Sequence, residues 1–222
     1  ISMLKNLILF FSNDRYCMLL KGKTAVLTGC NRGIGKALLE VFARNGSNIW
    51  ACVRQLNDQF IDHIKDLSDK YKVAITPVPF DLADEEQVKE GIKKIRSAKH
   101  PVDILVNNAG VIYTALFQMT PVNKMKEVFE INYFSQIFLT QAITKIMTRQ
   151  KSGNIINISS SAAIEGNEGR VSYAASKSAV ITFGQVISRE LGRNNIRVNT
   201  IAPGLTETEM MKGNTPDDVL EQ

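Results

Sequence analysis

The sequence contains few of the residues from which metal centres and disulfide frameworks are built. Among 222 residues it has three cysteines, Cys17, Cys30 and Cys52, and two histidines, His63 and His100. The number of cysteines is odd and no C-x-x-C pair occurs, so neither a disulfide framework nor a zinc site is predicted. We therefore expect no bound metal, and a reducing compartment such as the cytoplasm.

Long apolar runs and blocks of basic residues are also missing. The apolar run of residues 7–11 is far too short to cross a bilayer, and no small-residue cleavage site follows it. The formal net charge is +5, but the lysines and arginines are not clustered. Nucleic acid and membrane partners are therefore not predicted, and the surplus positive charge suits anionic ligands such as phosphates.

The two ends of the chain are expected to differ in their relation to the fold. Residues 1–17 precede Met18, and we expect them to be an appendage outside the domain, with Met18 as the natural start. Residues 18–222 are expected to form one domain. A content of 44% hydrophobic and 22% charged residues is ordinary for one globular core, and no composition shift marks a second domain.

Short apolar runs alternate with segments of helical periodicity from Lys23 onward. The predicted strands are residues 24–27, 47–53, 73–78, 102–106, 154–158 and 196–201. The predicted helices are residues 36–44, 58–71, 84–97, 123–149 and a segment from Tyr173 to about Gly192. This alternation predicts an α/β fold, a doubly wound parallel sheet of Rossmann type with helices on both faces.

The residues best suited to bind a ligand follow the ends of these predicted strands. They are three glycines in 29–35, Asp81, the segment 107–110, the serines 159–161, and the segment 203–204. Ligands of such sheets bind outside the carboxyl ends of the strands. We therefore expect these loops to converge on one site.

The glycine-rich loop after the first strand predicts a dinucleotide cofactor. Gly29, Gly33 and Gly35 would let the backbone approach a pyrophosphate, and the following helix N-terminus would offer N–H donors. An acid about twenty residues further on would bind the ribose of NAD, but the second strand ends without one. Arg32 and Arg54 instead suit a 2′-phosphate, so NADP(H) is predicted in preference to NAD(H). The alternative for Arg54 is a solvated strand end.

A tyrosine and a lysine four residues apart predict acid–base chemistry on a carbonyl or an alcohol. Tyr173 and Lys177 fall on one face of a helix. A phenol titrates near pH 10 unless a nearby ammonium lowers its pKa. A hydroxyl from the serines 159–161 could bind the same reacting oxygen. This spacing also occurs by chance on helix surfaces. The catalytic interpretation is favoured only because the glycine-rich cofactor loop occurs in the same chain.

Five motifs follow one another along the chain. They are T-G-C-N-R-G-I-G at 28–35, N-N-A-G at 107–110, I-N-I-S-S-S at 156–161, Y-A-A-S-K at 173–177 and A-P-G-L-T-E-T at 202–208. In this order they resemble the short-chain dehydrogenase/reductase family, and most closely its 3-oxoacyl-[acyl-carrier-protein] reductase branch. The resemblance extends from about Leu20 to the end of the chain.

The resemblance implies roles for particular residues. Tyr173 would donate the proton to the substrate carbonyl oxygen, Lys177 would lower its pKa and hold the nicotinamide ribose, and Ser160 would bind the same oxygen. The backbone carbonyl of Asn132 would complete a proton relay through a water. The implied cofactor contacts, besides Tyr173 and Lys177, are Gly29, Asn31, Arg32, Gly33, Ile34, Gly35, Arg54, Asp81, Leu82, Asn108, Ala109, Gly110, Pro203, Gly204, Thr206 and Thr208.

The resemblance also implies an activity. It is the NADPH-dependent reduction of a 3-oxoacyl thioester, as in fatty acid biosynthesis, with an acyl carrier protein as the partner that delivers the substrate. The basic residues Arg149, Lys151 and Arg193 are candidates to bind that acidic partner near the cleft. Two alternatives stay open: a relative acting on another ketone, sugar or secondary alcohol, and a non-catalytic nucleotide-binding or regulatory module.

The sequence departs from the family pattern at its end. The sequence stops at Gln222, whereas the family continues with another helix and a final parallel strand. We therefore expect a sheet that lacks these elements and whose sixth strand is an open edge. The homotetramer of the family is the expectation for a complete protein only.

Overall fold

The computed structural model describes residues 18–206. The predicted appendage 1–17, the end of the chain and Thr208 therefore lie outside the described residues. Within residues 18–206, no helix combines the length and the apolar character needed to cross a bilayer.

Six short strands form one sheet in which every pairing is parallel. They are β1 (Thr24–Thr28), β2 (Asn48–Val53), β3 (Ile75–Pro79), β4 (Ile104–Asn107), β5 (Gly153–Ile158) and β6 (Ile196–Ile201). Their order across the sheet is β3-β2-β1-β4-β5-β6. The chain winds outward in both directions from the β1–β4 pair, which is where such sheets bind ligands.

Helices cover both faces of this sheet. They are α1 (Gly33–Arg44), α2 (Asp58–Tyr71), α3 (Glu85–Ser97), α4 (Val122–Phe129), α5 (Ser135–Gln150), α6 (Ala162–Glu165) and α7 (Val171–Leu191). One apolar core lies between the sheet and α1 and α2. A second lies between the sheet and α3, α5 and the end of α7. The predicted doubly wound α/β fold is therefore confirmed.

Two helices begin at side chains that satisfy their first backbone N–H groups. Asn57 precedes α2 and accepts a hydrogen bond from the N–H of Phe60. Asp84 precedes α3 and accepts from the N–H groups of Glu86 and Gln87. Because short polar side chains before a helix replace the missing intrahelical partners, these residues determine where the two helices start.

Two helices differ from their predicted bounds. Helix α1 begins at Gly33, inside the glycine loop, although the periodic pattern predicted a start at Lys36. The predicted helix 123–149 consists of α4, a π-helical segment (Glu130–Phe134) and α5. A π turn shifts backbone hydrogen bonds from i+4 to i+5 without an apolar pattern of its own, so periodicity does not reveal it.

Helix α7 packs tightly against the sheet at Gly184. A Cβ placed on this residue would lie 2.3 Å from Thr200 Oγ1 on β6 and 3.2 Å from Asn157 Nδ2 on β5. The first distance is shorter than any real contact of a side-chain carbon. A residue larger than glycine would therefore push α7 away from β6.

We predict that Gly184→Ala lowers the free energy of unfolding by about 1–3 kcal/mol, because the added methyl group overpacks the contact between α7 and β6. Urea unfolding followed by circular dichroism measures the change. Gly192→Ala is the matched control, since no heavy atom lies within 4 Å of a Cβ at that position. Equal stability of the two variants would contradict the packing argument.

Candidate active site

A cleft of about 990 Å³ opens at the carboxyl ends of the strands. The loops that follow β1, β2, β3, β4, β5 and β6 all contribute to its lining. Ser160, Tyr173 and Lys177 line it. So do the predicted cofactor contacts that lie within residues 18–206: Gly29, Asn31, Arg32, Gly33, Ile34, Gly35, Arg54, Asp81, Leu82, Asn108, Ala109, Gly110, Pro203, Gly204 and Thr206.

The glycine loop brings two parts of the backbone into direct contact. Gly29 has φ of +67°, a conformation that glycine adopts without strain. A Cβ at Gly35 would lie only 2.0 Å from the carbonyl oxygen of Gly29. The first turn of α1 therefore lies against the end of β1, and its N–H groups border an open cradle that suits a phosphate.

Thr28 holds the loop after β4 beside the glycine loop. Its hydroxyl donates to the carbonyl of Val106 and accepts from the N–H groups of Asn108 and Ala109. The amide of Asn108 donates in turn to the carbonyls of Thr28 and Gly29, at 2.9 and 3.1 Å. These bonds fix the two loops between which a cofactor would lie.

Two arginines line the end of the cleft beside β2. Arg32 precedes the first residue of α1, and Arg54 directly follows β2. Both side chains are exposed. Asp81, which follows β3, also lines the cleft, and one of its carboxylate oxygens accepts from the N–H of Ala83. This end of the cleft therefore presents two guanidinium groups and one carboxylate.

Lys177 is buried and tied to the end of β5 at two points. Its ammonium group donates to the carbonyl of Ile158 at 2.8 Å, and its own carbonyl accepts from the hydroxyl of Ser159 at 2.7 Å. The ammonium nitrogen lies 5.9 Å from the centre of the Tyr173 ring. Burial, which disfavours the charged form, lowers the pKa of Lys177 to about 8.

The serine loop after β5 is tied to the loop after β6. The N–H of Ser159 donates to the carbonyl of Ile201, and the N–H of Ser161 donates to the carbonyl of Pro203. Between them, the hydroxyl oxygen of Ser160 accepts from the N–H of Ala162 and lines the cleft. Its own hydrogen can therefore be donated to a ligand oxygen.

Asn132 lies behind the cleft wall, in the π-helical segment. Its side chain is fully buried. The amide group both accepts from the N–H of Val111 and donates to its carbonyl, and it also donates to the hydroxyl of Ser176. Ser176 donates to the carbonyl of Tyr173 at 2.8 Å. The Asn132 side chain thus connects the loop after β4 to the start of α7.

No sequence motif predicts the remainder of the cleft wall. Residues 111, 112 and 114–116 after β4 and residues 165 and 167–170 before α7 line the cleft, although neither segment carried a recognisable pattern. Glu165 and Glu168 are acids in an otherwise small and polar segment. This charge is the signal that could have identified that part of the wall.

The predicted position of the basic residues near the cleft is wrong. Arg149 lies in the last turn of α5 and Lys151 directly follows that helix, so both precede the first residue of β5. Arg193 precedes the first residue of β6. All three therefore lie at the amino ends of the strands, whereas the cleft lies at the carboxyl ends of the same strands.

Within the described part of the chain, no group of three or more His, Cys, Asp or Glu side chains could hold a metal ion. The polar groups of the cleft instead suit two ligand types. The glycine cradle and the arginines suit a phosphorylated nucleotide. A phenol, a hydroxyl and a buried ammonium can exchange a proton with a carbonyl or alcohol oxygen.

Comparison with protein families agrees with this arrangement. The family model for short chain dehydrogenase matches residues 23–219. The chain is 34% identical over 197 residues to the 3-oxoacyl-[acyl-carrier-protein] reductase of Chlamydia muridarum, covering 88% of this chain and 78% of that protein. It is 37% identical over 196 residues to the 3alpha-hydroxysteroid dehydrogenase of Mediterraneibacter gnavus, covering 87% and 78%.

Two solved structures share the fold over most of the chain. One, from Sinorhizobium meliloti, is assigned as a short-chain alcohol dehydrogenase; the TM-score is 0.84 at 27% identity, covering 92% of this chain and 81% of that one. The other, from Beutenbergia cavernae, is assigned as an NAD(P) dependent gluconate 5-dehydrogenase and holds NADP at low occupancy. Its TM-score is 0.80 at 30% identity, covering 89% and 78%.

The buried Lys177 predicts a pH dependence of stability. Its folded pKa of about 8 lies below the ordinary value of 10.5. Between these values the unfolded chain binds a proton that the folded chain lacks, so wild-type stability gains as pH rises through this window. Lys177→Met lacks this gain. Its stability relative to wild type should therefore fall by about 2 kcal/mol between pH 7 and pH 9.5.

Urea unfolding of both proteins at several pH values measures this difference. Lys65→Met, at an exposed position on α2, is the control and should show no such trend. If the stability difference between Lys177→Met and wild type stays constant with pH, burial does not disfavour the charged form of Lys177 and its pKa is not lowered.

Proposed function

This chain belongs to the short-chain dehydrogenase family, and we propose that it reduces the 3-oxo group of an acyl thioester with NADPH. The observation that carries the proposal is that the glycine cradle, Ser160, Tyr173 and Lys177 line one cleft. The similarity to 3-oxoacyl-[acyl-carrier-protein] reductases from several bacteria supports this choice of substrate.

The described residues fit a nicotinamide dinucleotide. The close approach of Gly35 to Gly29 leaves a cradle beside the first turn of α1 in which a pyrophosphate would be held. Asp81 and Leu82 would flank the adenine, and the segment 108–110 would lie under its ribose. The segment 203–206 would contact the nicotinamide. The bound cofactor would supply the hydride.

The protein itself would supply the proton and hold the reacting oxygen. We propose that Tyr173 protonates the substrate oxygen and that the hydroxyl of Ser160 donates a hydrogen bond to it. Lys177, fixed by the carbonyl of Ile158, would hold the nicotinamide ribose and assist the phenol. The backbone carbonyl of Asn132 would bind a water that returns the proton.

We predict that Tyr173→Phe lowers kcat by about 10²–10⁴-fold, because the ring remains but the proton donor is lost. The dissociation constant for NADPH should stay within about twofold of wild type. The measurements are NADPH oxidation with an acetoacetyl thioester and a fluorescence titration with NADPH. Tyr71→Phe is the control, because Tyr71 ends α2 just before β3 and so lies at the amino ends of the strands, away from the cleft. Near-normal kcat in Tyr173→Phe would remove this residue from the mechanism.

The preference for NADP(H) is proposed from Arg32 and Arg54, which line the end of the cleft beside β2. A guanidinium–phosphate hydrogen bond is charge-assisted and stronger than a neutral one. Arg54→Ala should therefore raise KM for NADPH by about 10–100-fold and change KM for NADH little. Arg189→Ala, at an exposed position on α7, should change neither value. Equal kcat/KM of the wild type with both cofactors would overturn the preference.

A second candidate function is oxidoreduction of another ketone or secondary alcohol. The similarity to a hydroxysteroid dehydrogenase and to a structure assigned as a gluconate dehydrogenase favours it. Activity on such substrates without activity on acetoacetyl thioesters would decide for this candidate. A non-catalytic nucleotide-binding module is disfavoured, because a regulatory protein has no need of Ser160, Tyr173, Lys177 and Asn132 together.

We also propose a cytoplasmic location and a homotetramer for the complete protein. Cys30 and Cys52 are free thiols, which suits a reducing compartment. Residues 18–222 would form the catalytic domain, with residues 1–17 outside it. An acyl carrier protein would deliver the substrate.

A further inference from the structure

Ser176 lies on α7 between the two residues to which the proton chemistry is assigned. It directly precedes Lys177 and follows Tyr173 by three residues. Its side chain is fully buried, and Ser176 is not among the residues that line the cleft. It can therefore influence the reaction only through other residues.

The hydroxyl of Ser176 links two residues of the site. It donates a hydrogen bond to the carbonyl of Tyr173 at 2.8 Å and accepts one from the side-chain amide of Asn132 at 3.0 Å. A hydroxyl has one hydrogen, and here that hydrogen is donated to Tyr173. Ser176 therefore meets Asn132 as an acceptor.

Asn132 is the central residue of the π-helical segment, and its amide is held by two residues. The amide oxygen accepts from the N–H of Val111 at 2.8 Å, and the amide nitrogen donates to the carbonyl of Val111 at 2.9 Å. The other N–H of the amide is the one that Ser176 accepts. Because a buried N–H without a partner is costly, loss of the Ser176 hydroxyl would make this amide shift.

The amide of Asn132 and the ammonium of Lys177 both approach Gly110. A Cβ placed on Gly110 would lie 3.1 Å from the amide oxygen and 3.3 Å from the ammonium nitrogen. Gly110 lines the cleft, and the ammonium is held by the carbonyl of Ile158. A shift of the amide would therefore change the surroundings of the ammonium and of the cleft backbone together.

We propose that Ser176 is a positioning residue for the return of the proton to Tyr173. Its hydroxyl holds the Asn132 amide, and with it the backbone of the π-helical segment, in place relative to Tyr173 and Lys177. The inference rests on the proposed function, in which the carbonyl of Asn132 binds the water of the relay. Burial suits this role, because a low dielectric strengthens each bond of a hydrogen-bond network.

Ser176→Ala removes the hydroxyl, and Ser178→Ala is the matched control. Ser178 lies two residues further along α7, and its hydroxyl donates to the carbonyls of Ala163 and Ala174 at 2.7 and 3.0 Å. Each variant loses a serine hydroxyl that bonds to a carbonyl of the same helix. Of the two, Ser176→Ala is the one that loses the bond to Asn132.

The first readout is the reduction of the N-acetylcysteamine thioester of acetoacetate with NADPH. Ser176→Ala should lower kcat by about 5–50-fold, because a displacement of about 1 Å can cost about 10²-fold in rate. The dissociation constant for NADPH should stay unchanged. The solvent isotope effect on kcat should rise above the wild-type value, since a slower proton return becomes rate-limiting. A general loss of structure would lower kcat without raising this isotope effect.

The second readout is hydrogen exchange of the free protein, which needs neither substrate nor cofactor. In Ser176→Ala, the backbone N–H of Val111 and those of residues 130–135 should exchange faster, because the amide that binds Val111 is held less firmly. Mass spectrometry of peptides from these two segments measures the change. Ser178→Ala should leave exchange in both segments at the wild-type rate.

A double-mutant cycle tests whether Ser176 acts through Asn132. Asn132→Ala removes the amide and keeps the backbone carbonyl. Adding Ser176→Ala to this variant should lower kcat no further, because the hydroxyl then has no amide to hold. Effects of the two substitutions that multiply would overturn the inference.

The outcomes separate this inference from the proposed function. Wild-type kcat, isotope effect or hydrogen exchange in Ser176→Ala, or equal changes in Ser178→Ala, would overturn the positioning role while thioester reduction stands. Absence of thioester reduction in the wild type would overturn the proposed function, and with it the role of Ser176 in proton return.

Discussion

The hydroxyl of Thr28 is the contact on which the cleft depends. It lies at the end of β1, accepts two backbone N–H groups from the loop after β4, and donates to the carbonyl of Val106. The winding of the sheet reverses between β1 and β4, so the loops after these two strands lead away from each other and a gap opens between them. Without a side chain that bonds both loops, the gap would widen, and the glycine loop and the segment 108–110 would no longer face each other.

The cleft that results is polarised along its length. Its end beside β2 carries Arg32, Arg54 and Asp81, and its other end carries Glu165, Glu168 and Arg170. Between them, the ammonium of Lys177 is buried against a backbone carbonyl. The charged side chains thus sum to +1 beside β2 and to −1 at the other end, so an anionic group of a ligand is favoured beside β2.

Much of the fold could be predicted from the sequence because the central strands β1 and β4 are buried on both faces. All five residues of β1 and all four of β4 are buried, and such strands are recognisable as uninterrupted apolar runs. The residues after the strands then had to meet at one edge, which is why most of the cleft could be predicted as well. The π-helical segment and the start of α1 could not, since neither changes the apolar periodicity.

The sequence-based predictions missed those parts of the cleft wall whose position depends on tertiary contacts. The wall formed by Glu165, Glu168 and residues 111, 112 and 114–116 belongs to a one-turn helix and to loops, whose course depends on packing against α7. The basic residues were misplaced for a simpler reason. Arg149 and Lys151 precede a strand, and in a parallel sheet residues before a strand lie at the edge away from the ligand.

The close contact at Gly184 has a consequence for how this protein can change over time. Tyr173, Lys177 and Gly184 belong to one helix, α7, and Gly184 lies about 16 Å along it from Tyr173. The contact between Gly184 and Thr200 therefore sets the position of the whole helix relative to the sheet. A bulkier residue at either position would move the tyrosine relative to the serine loop. Substitutions at Gly184 and Thr200 are therefore coupled, and the chemistry at the cleft restricts which residues these two positions can carry.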